Sequence, residues 1–182
     1  MKTYTTIIKT ILPLFVVIGM AGAVQAQATA SASASATITT ALTLTKNADI
    51  DFGTVSATTS SVVYLDPADI SNSTNVGSSA ALGQFTVGAA ITDVIDLTFD
   101  AQVNLTDGSN NLYLLTEEAG SMDGSSFTSL GTSGSTQFTT SGSGAYTLRV
   151  GGELSQSTSS GNLSSVPTGT YTGTFNASII YN

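Results

Sequence analysis

The chain has 182 residues with no Cys, no His and no Trp, which excludes disulfides, thiol chemistry, Cys/His metal sites and Ser-His-Asp triads and leaves room for one domain with one core. Lys and Arg number 4 against 12 Asp and Glu, and the net charge of −8 repels nucleic-acid phosphates. Only 9% of residues are charged, and the abundance of Ser, Thr, Gly and Ala suits polar-faced strands and turns, so composition points to an all-β or partly disordered chain, and the expected fold class is all-β.

Lys2 and Lys9 precede an apolar run from Ile11 to Ala23, and Val24-Gln25-Ala26 follows with the small-residue pattern that signal peptidase cleaves. The run is about 13 residues, short of the roughly 20 that a membrane-crossing helix needs. Residues 1–26 are therefore expected to be an export signal cut after Ala26, leaving no membrane span. Without Cys, the exported chain can accept no lipid anchor.

From Gln27 to Thr45 the residues alternate with the period of an extended strand. Ala28, Ala30, Ala32, Ala34, Ala36, Ile38, Leu42 and Leu44 share one face, broken by Thr40, while Ser and Thr dominate the other. Fully extended, this stretch would reach about 60 Å, roughly three times an ordinary strand. Residues 27–37 read either as a flexible Ala/Ser leader, with the first strand of a 38–182 domain beginning near Ile38, or as an arm that pairs elsewhere.

Beyond it, Ile50–Phe52, Val62–Leu65, Phe85–Val87, Val94–Phe99, Leu112–Leu115, Tyr146–Val150 and Tyr171–Tyr181 read as β segments. Asp66-Pro67, Asp107-Gly108, Ser141-Gly142, Gly151-Gly152 and Pro167-Thr168-Gly169 supply turn chemistry between them. Residues 118–145 are assigned no strand. No stretch beyond the signal carries the i, i+3, i+4, i+7 spacing of a helix. The expected architecture is an antiparallel sandwich.

Residues capable of chemistry are scarce. Asp93, Asp96 and Asp100 with Asp107, and Glu117 and Glu118 with Asp123, are the groupings that could hold calcium, and neither has the spacing of a calcium loop. Two carboxylates suffice for a glycosidase, but nothing else supports one, with no Trp and 7% aromatics to stack on sugars. Lys46 and Arg149 are isolated cations, expected in solvent or paired with nearby carboxylates. The sequons at Asn72, Asn104, Asn162 and Asn176 are what a Ser/Thr-rich chain makes by chance. No catalytic residue, cofactor or metal is expected.

In the last segment Tyr171, Gly173, Phe175, Ala177, Ile179 and Tyr181 share one face, against Thr170, Thr172, Thr174, Asn176 and Ser178. Gly169 stands fourteenth from the C-terminus and Tyr181 second. This pattern resembles the C-terminal signature of chaperone-usher pilus subunits. The resemblance implies an immunoglobulin-like sandwich missing a strand, whose last strand borders an open groove. A periplasmic chaperone, and then the next subunit's N-terminal arm, would fill that groove by strand addition. Ala32, Ala34, Ala36 and Ile38 would then be the groove-facing residues of the donor arm. Gly169, Tyr171, Phe175, Ala177, Ile179 and Tyr181 would form the acceptor strand.

A broader resemblance covers nearly all of the chain after the signal: the Ala/Ser/Thr leader, Ile50-Asp51-Phe52-Gly53, Phe85-Thr86-Val87, Val150-Gly151-Gly152 with Leu154, and Gly169-Thr170-Tyr171-Thr172-Gly173-Thr174-Phe175. It is similar to the bacterial exported family called domain of unknown function 4402, itself similar to spore-coat-U and archaic pilin domains. The chain lacks the cysteine pair that many pilins carry. The function implied is a non-enzymatic fimbria- or pilus-like subunit, exported through the periplasm to the cell surface, that self-associates into a polymer. The alternative is a closed monomeric secreted binding module or adhesin, with residues 27–45 supplying a strand to their own sheet.

Overall fold

Alternating apolar and polar residues let an extended segment bury one face and wet the other, and the chain uses this device in ten strands among the described residues. The computed structural model describes residues 33, 35–36, 40–56, 62–140, 142, 145–158 and 161–182. In chain order the strands are β1 Thr43–Ala48, β2 Val63–Leu65, β3 Gly83–Gly88, β4 Val94–Phe99 and β5 Gln102–Thr106, then β6 Asn111–Ser121, β7 Thr128–Gly131, β8 Ser135–Thr139, β9 Ala145–Ser155 and β10 Ala177–Tyr181. One 3-10 turn, Ile70–Asn72, is capped by the Asp69 carboxylate, which accepts from the Ser71 N–H. No helix among the described residues is long and apolar enough to cross a membrane.

Every ladder is antiparallel, and the strands form a β-sandwich. The larger sheet runs β1-β3-β9-β6-β5, with β2 beside β9 and β7 beside β6, and the smaller runs β10-β4-β8. The two 11-residue strands β6 and β9 pair from Tyr113↔Ser155 to Ser121↔Thr147 and form the spine of the larger sheet. Residues 38–182 make one compact unit.

The core has two parts. One holds Phe52, Val63, Leu65, Leu112, Leu114 and Leu154 with their neighbours. The other holds Val87, Ile95, Leu97, Phe99, Phe138, Tyr146 and Leu148, with the Phe138 and Tyr146 rings stacked at 4.0 Å between centroids. Each fully buried Leu, Ile or Val contributes about 1.5–3 kcal/mol of transfer free energy, so burial alone can hold a sandwich that has no disulfide.

Glu118 sits on the inward face of β6 between these parts, in the same alternation as Leu114 and Gly120, and is 1% exposed. Neither of its carboxylate oxygens makes a well-formed hydrogen bond among the described residues, and burial, opposed by the nearby Thr116 hydroxyl and helped by the neighbouring Glu117 charge, pushes its pKa up to about 9. It is therefore a neutral acid at physiological pH. Glu117, one residue before it, faces outward and accepts from the Tyr64 hydroxyl at 2.6 Å and the Ser129 hydroxyl at 3.1 Å.

Some elements differ from their sequence-based reading. Gly151-Gly152, read as a turn, lies inside β9. Gly152 has φ +127, and a side chain at Gly151 or Gly152 would strike the carbonyls of Leu65 and Leu115, so the glycines let β2 and β6 close on β9 from both sides. Residues 118–145, given no strand, contain the end of β6, all of β7 and β8 and the start of β9. β5 was also unread. Among the described residues Ile50–Phe52 makes the single bridge Asp51↔Ala81, and of Tyr171–Tyr181 Ala177–Tyr181 is laddered while Thr172 makes one bridge to Thr106. The export signal, and the arm positions Ala32, Ala34 and Ile38, lie outside the described residues.

A candidate strand-binding groove

The last segment of the chain follows two strands in turn. Thr172 exchanges both backbone hydrogen bonds with Thr106 of β5, at 2.9 and 3.1 Å. Further on, the Asn176 carbonyl accepts from Asp100 N–H at 3.0 Å, β10 pairs with β4, and Asn182 N–H donates to the Val94 carbonyl at 3.0 Å. The Asp100 carboxylate fixes the switch between strands by accepting from the backbone and side-chain amides of Asn176, at 2.9 and 2.8 Å.

These bonds set a parity. In an antiparallel pair the residues that bond across alternate with residues whose N–H and C=O point the other way. Thr172, Asn176 and Asn182 bond inward to β5 and β4. Tyr171, Gly173, Ala177, Ile179 and Tyr181 therefore present their backbone groups to the opposite edge, where no strand pairs among the described residues. The side chains of Tyr171, Phe175, Ala177, Ile179 and Tyr181 are half-buried, and those at 170, 172, 174, 176, 178 and 180 are exposed. Ile180 is 62% exposed.

Beside this edge lies a groove of about 960 Å³. One wall is Lys46–Ser56, the other Val166–Phe175, and the floor is Val103, Leu105, Leu112, Leu114, Leu154 and Leu163. Asp51 and Gly53 shape the first wall: the Asp51 carboxylate accepts from Gly53 N–H at 2.7 Å, and Gly53 turns the chain at φ +66. Gly173 lies so close to β5 that a side chain would meet the Asn104 carbonyl at 2.5 Å. The groove's polar rim includes the exposed Lys46–Asp49 ion pair at 2.7 Å. At the base of the second wall, hydrogen bonds from the Asn110 side chain and from the N–H groups of Asn110 and Ser109 hold Asp107 down to about 2, a charge that caps its turn.

The groove ends where Phe85 and Phe175 meet, their ring centroids 5.9 Å apart. Past that contact, Leu42 and Leu44 on one side and Ala177, Ile179 and Tyr181 on the other pack on the second part of the core. There the Tyr181 hydroxyl accepts from Ala90 N–H and donates to the Thr40 carbonyl, both at 2.8 Å.

Of the residues singled out from sequence, Gly169, Tyr171 and Phe175 line the groove, and Ala177, Ile179 and Tyr181 continue its edge along β10. Ala36 is exposed. The first wall and the floor escaped the sequence reading as a site. The Ile50-Asp51-Phe52-Gly53 motif was visible but carried no sign of facing the last strand. The acidic groupings do not converge: no three Asp or Glu come together among the described residues. Asp96 accepts from the Asn182 amide, Asp123 accepts from the Ser125 and Ser126 N–H groups, and Glu118 faces the core. Arg149 lies 3.6 Å from the centroid of the Phe127 ring, a cation–π contact on the larger sheet.

No curated protein and no solved structure matches the chain. A family model described as a domain of unknown function (DUF4402) matches residues 42–181, a span holding β1, both groove walls and the last strand, and the chain belongs to that family.

Proposed function

We propose that the protein is a non-enzymatic exported structural protein, a subunit of a fimbria- or pilus-like surface fibre that assembles by strand donation. The observation that carries this reading is the last segment's edge at Tyr171, Gly173, Ala177, Ile179 and Tyr181, which no strand among the described residues pairs with and which at Tyr171 and Gly173 borders an apolar groove of about 960 Å³. A bare strand edge over an apolar floor is a template for another strand: backbone bonds supply affinity and alternate side chains fill pockets.

The proposed occupant is the alternating arm of a second copy, with Ala32, Ala34, Ala36 and Ile38 turned to the floor. Before assembly a periplasmic chaperone strand would cover the same edge. Export by the residues 1–26 signal, through the periplasm to the cell surface, belongs to this reading. The contact of Leu42 and Leu44 with the second part of the core favours a second reading, a closed monomeric binding module.

Chains beginning at Gln27 and at Ile38 separate the two readings by mass in solution and on unboiled denaturing gels. A ladder that needs the arm is the expected result. Two equally stable monomers would overturn strand donation in favour of the closed module.

A further inference from the structure

The same hydroxyl touches both partners of the proposed exchange. Thr40 lies at the root of the arm, three residues before β1, and Tyr181 ends the strand whose outer edge no strand among the described residues pairs with. Their bond joins, beyond the Phe85–Phe175 contact, the two chain segments that carry the groove's walls. A strand added along the full edge must bond to the backbone of Ala177, Ile179 and Tyr181, and its path crosses the gap that the Tyr181 hydroxyl spans to Thr40.

Resting on the strand-donation reading, we infer that the Tyr181–Thr40 contact is a latch: a strand enters at the open end, by Asp51–Ser56 and Gly169–Tyr171, and its arrival at Tyr181 frees the root of the subunit's own arm. A subunit whose groove is filled thereby becomes the better donor, which gives assembly an order. Ala90 reports the state of the latch, because its N–H is held by the Tyr181 hydroxyl and loses that acceptor when the latch opens.

The test uses the monomeric fraction of the chain from Gln27 to Asn182 and a synthetic peptide of residues 27–38 as the probe strand. Binding rate is followed together with hydrogen exchange at the Ala90 amide. The expected result is peptide binding that strips protection from Ala90, and an association rate about five- to tenfold faster in Tyr181→Phe, which lacks the bridging hydroxyl. Peptide binding with Ala90 still protected, at the same rate in both chains, would overturn the latch and leave the groove reading standing. No peptide binding to either chain would overturn both. The exchange measurement on the unaltered chain decides the matter if Tyr181→Phe folds poorly.

Discussion

The two halves of the sandwich are built from the same kinds of residue and are closed by different means. In one half the three-stranded sheet lies over β3 and β9, Ile95 and Leu97 are sealed from solvent, and Phe138 stacks on Tyr146. In the other, the cover consists of two irregular segments, each tied by a single bridge, Asp51↔Ala81 and Thr106↔Thr172, and the leucines between them floor a groove. A ladder seals apolar surface only where a strand is present to complete it. The half with no such strand keeps a groove over its apolar floor, where Leu105 is only half-buried, and an edge at Tyr171 and Gly173 that no strand among the described residues pairs with.

The largest expected effect tests that contrast directly. Leu97→Ala, in the closed half, should cost about 3–5 kcal/mol in urea unfolding, because the cavity it leaves has fixed walls. Leu105→Ala on the groove floor should cost about 1 kcal/mol, since that side chain is only half-buried. Equal losses at the two sites would erase the distinction between the halves.

A smaller effect is expected at the outer strand of the closed half. Ile179→Asp places a charge at a half-buried position of β10 and should cost about 2–3 kcal/mol. Unchanged melting would show that β10 does not pack on the core.

A graded effect, read pH unit by pH unit, belongs to Glu118, between the two halves. Its folded pKa lies above its unfolded value, so the folded state holds the proton more tightly. Stability should therefore be highest below the ordinary value of 4.5 as far as this group is concerned, and fall by up to about 1.4 kcal/mol per pH unit until about pH 9. Asp107 and Asp123 act the other way, both held below the usual carboxylate range by turn hydrogen bonds, so their contribution is lost as the pH falls below about 4. Thermal melts from pH 3 to pH 9 should peak near pH 5. Glu118→Met should raise the alkaline limb and remove its slope, because it buries no ionisable group. A slope that survives the substitution would place the titrating group elsewhere.

Where local pattern and tertiary demand agreed, the elements were legible: Val94–Phe99 alternates between core and solvent and is β4 residue for residue. The half-buried alternation from Tyr171 to Tyr181 was legible too, since side-chain direction needs only an extended backbone. β6 was cut short because Thr116, Glu118 and Gly120 face inward, and polar or absent side chains give no sign of a core. Gly151-Gly152 carried a turn signature whose real cause was the close approach of two neighbouring strands. Of the groove, one wall is formed by the last segment, whose alternation was visible in the sequence. The other wall and the floor come from Lys46–Ser56 and from β5, β6 and β9, and no local pattern says that these segments meet.

The sequence by itself determined the chemistry this protein lacks, its acidic charge, its all-β class and the inward face of its last strand, because composition and period two act within a few residues. Only the tertiary structure decided which backbone groups of that strand stay unpaired, where the groove opens, and that Tyr181 reaches Thr40. Those outcomes depend on which distant segments become neighbours. Long-range pairing sets that choice, through the burial of both parts of the core together.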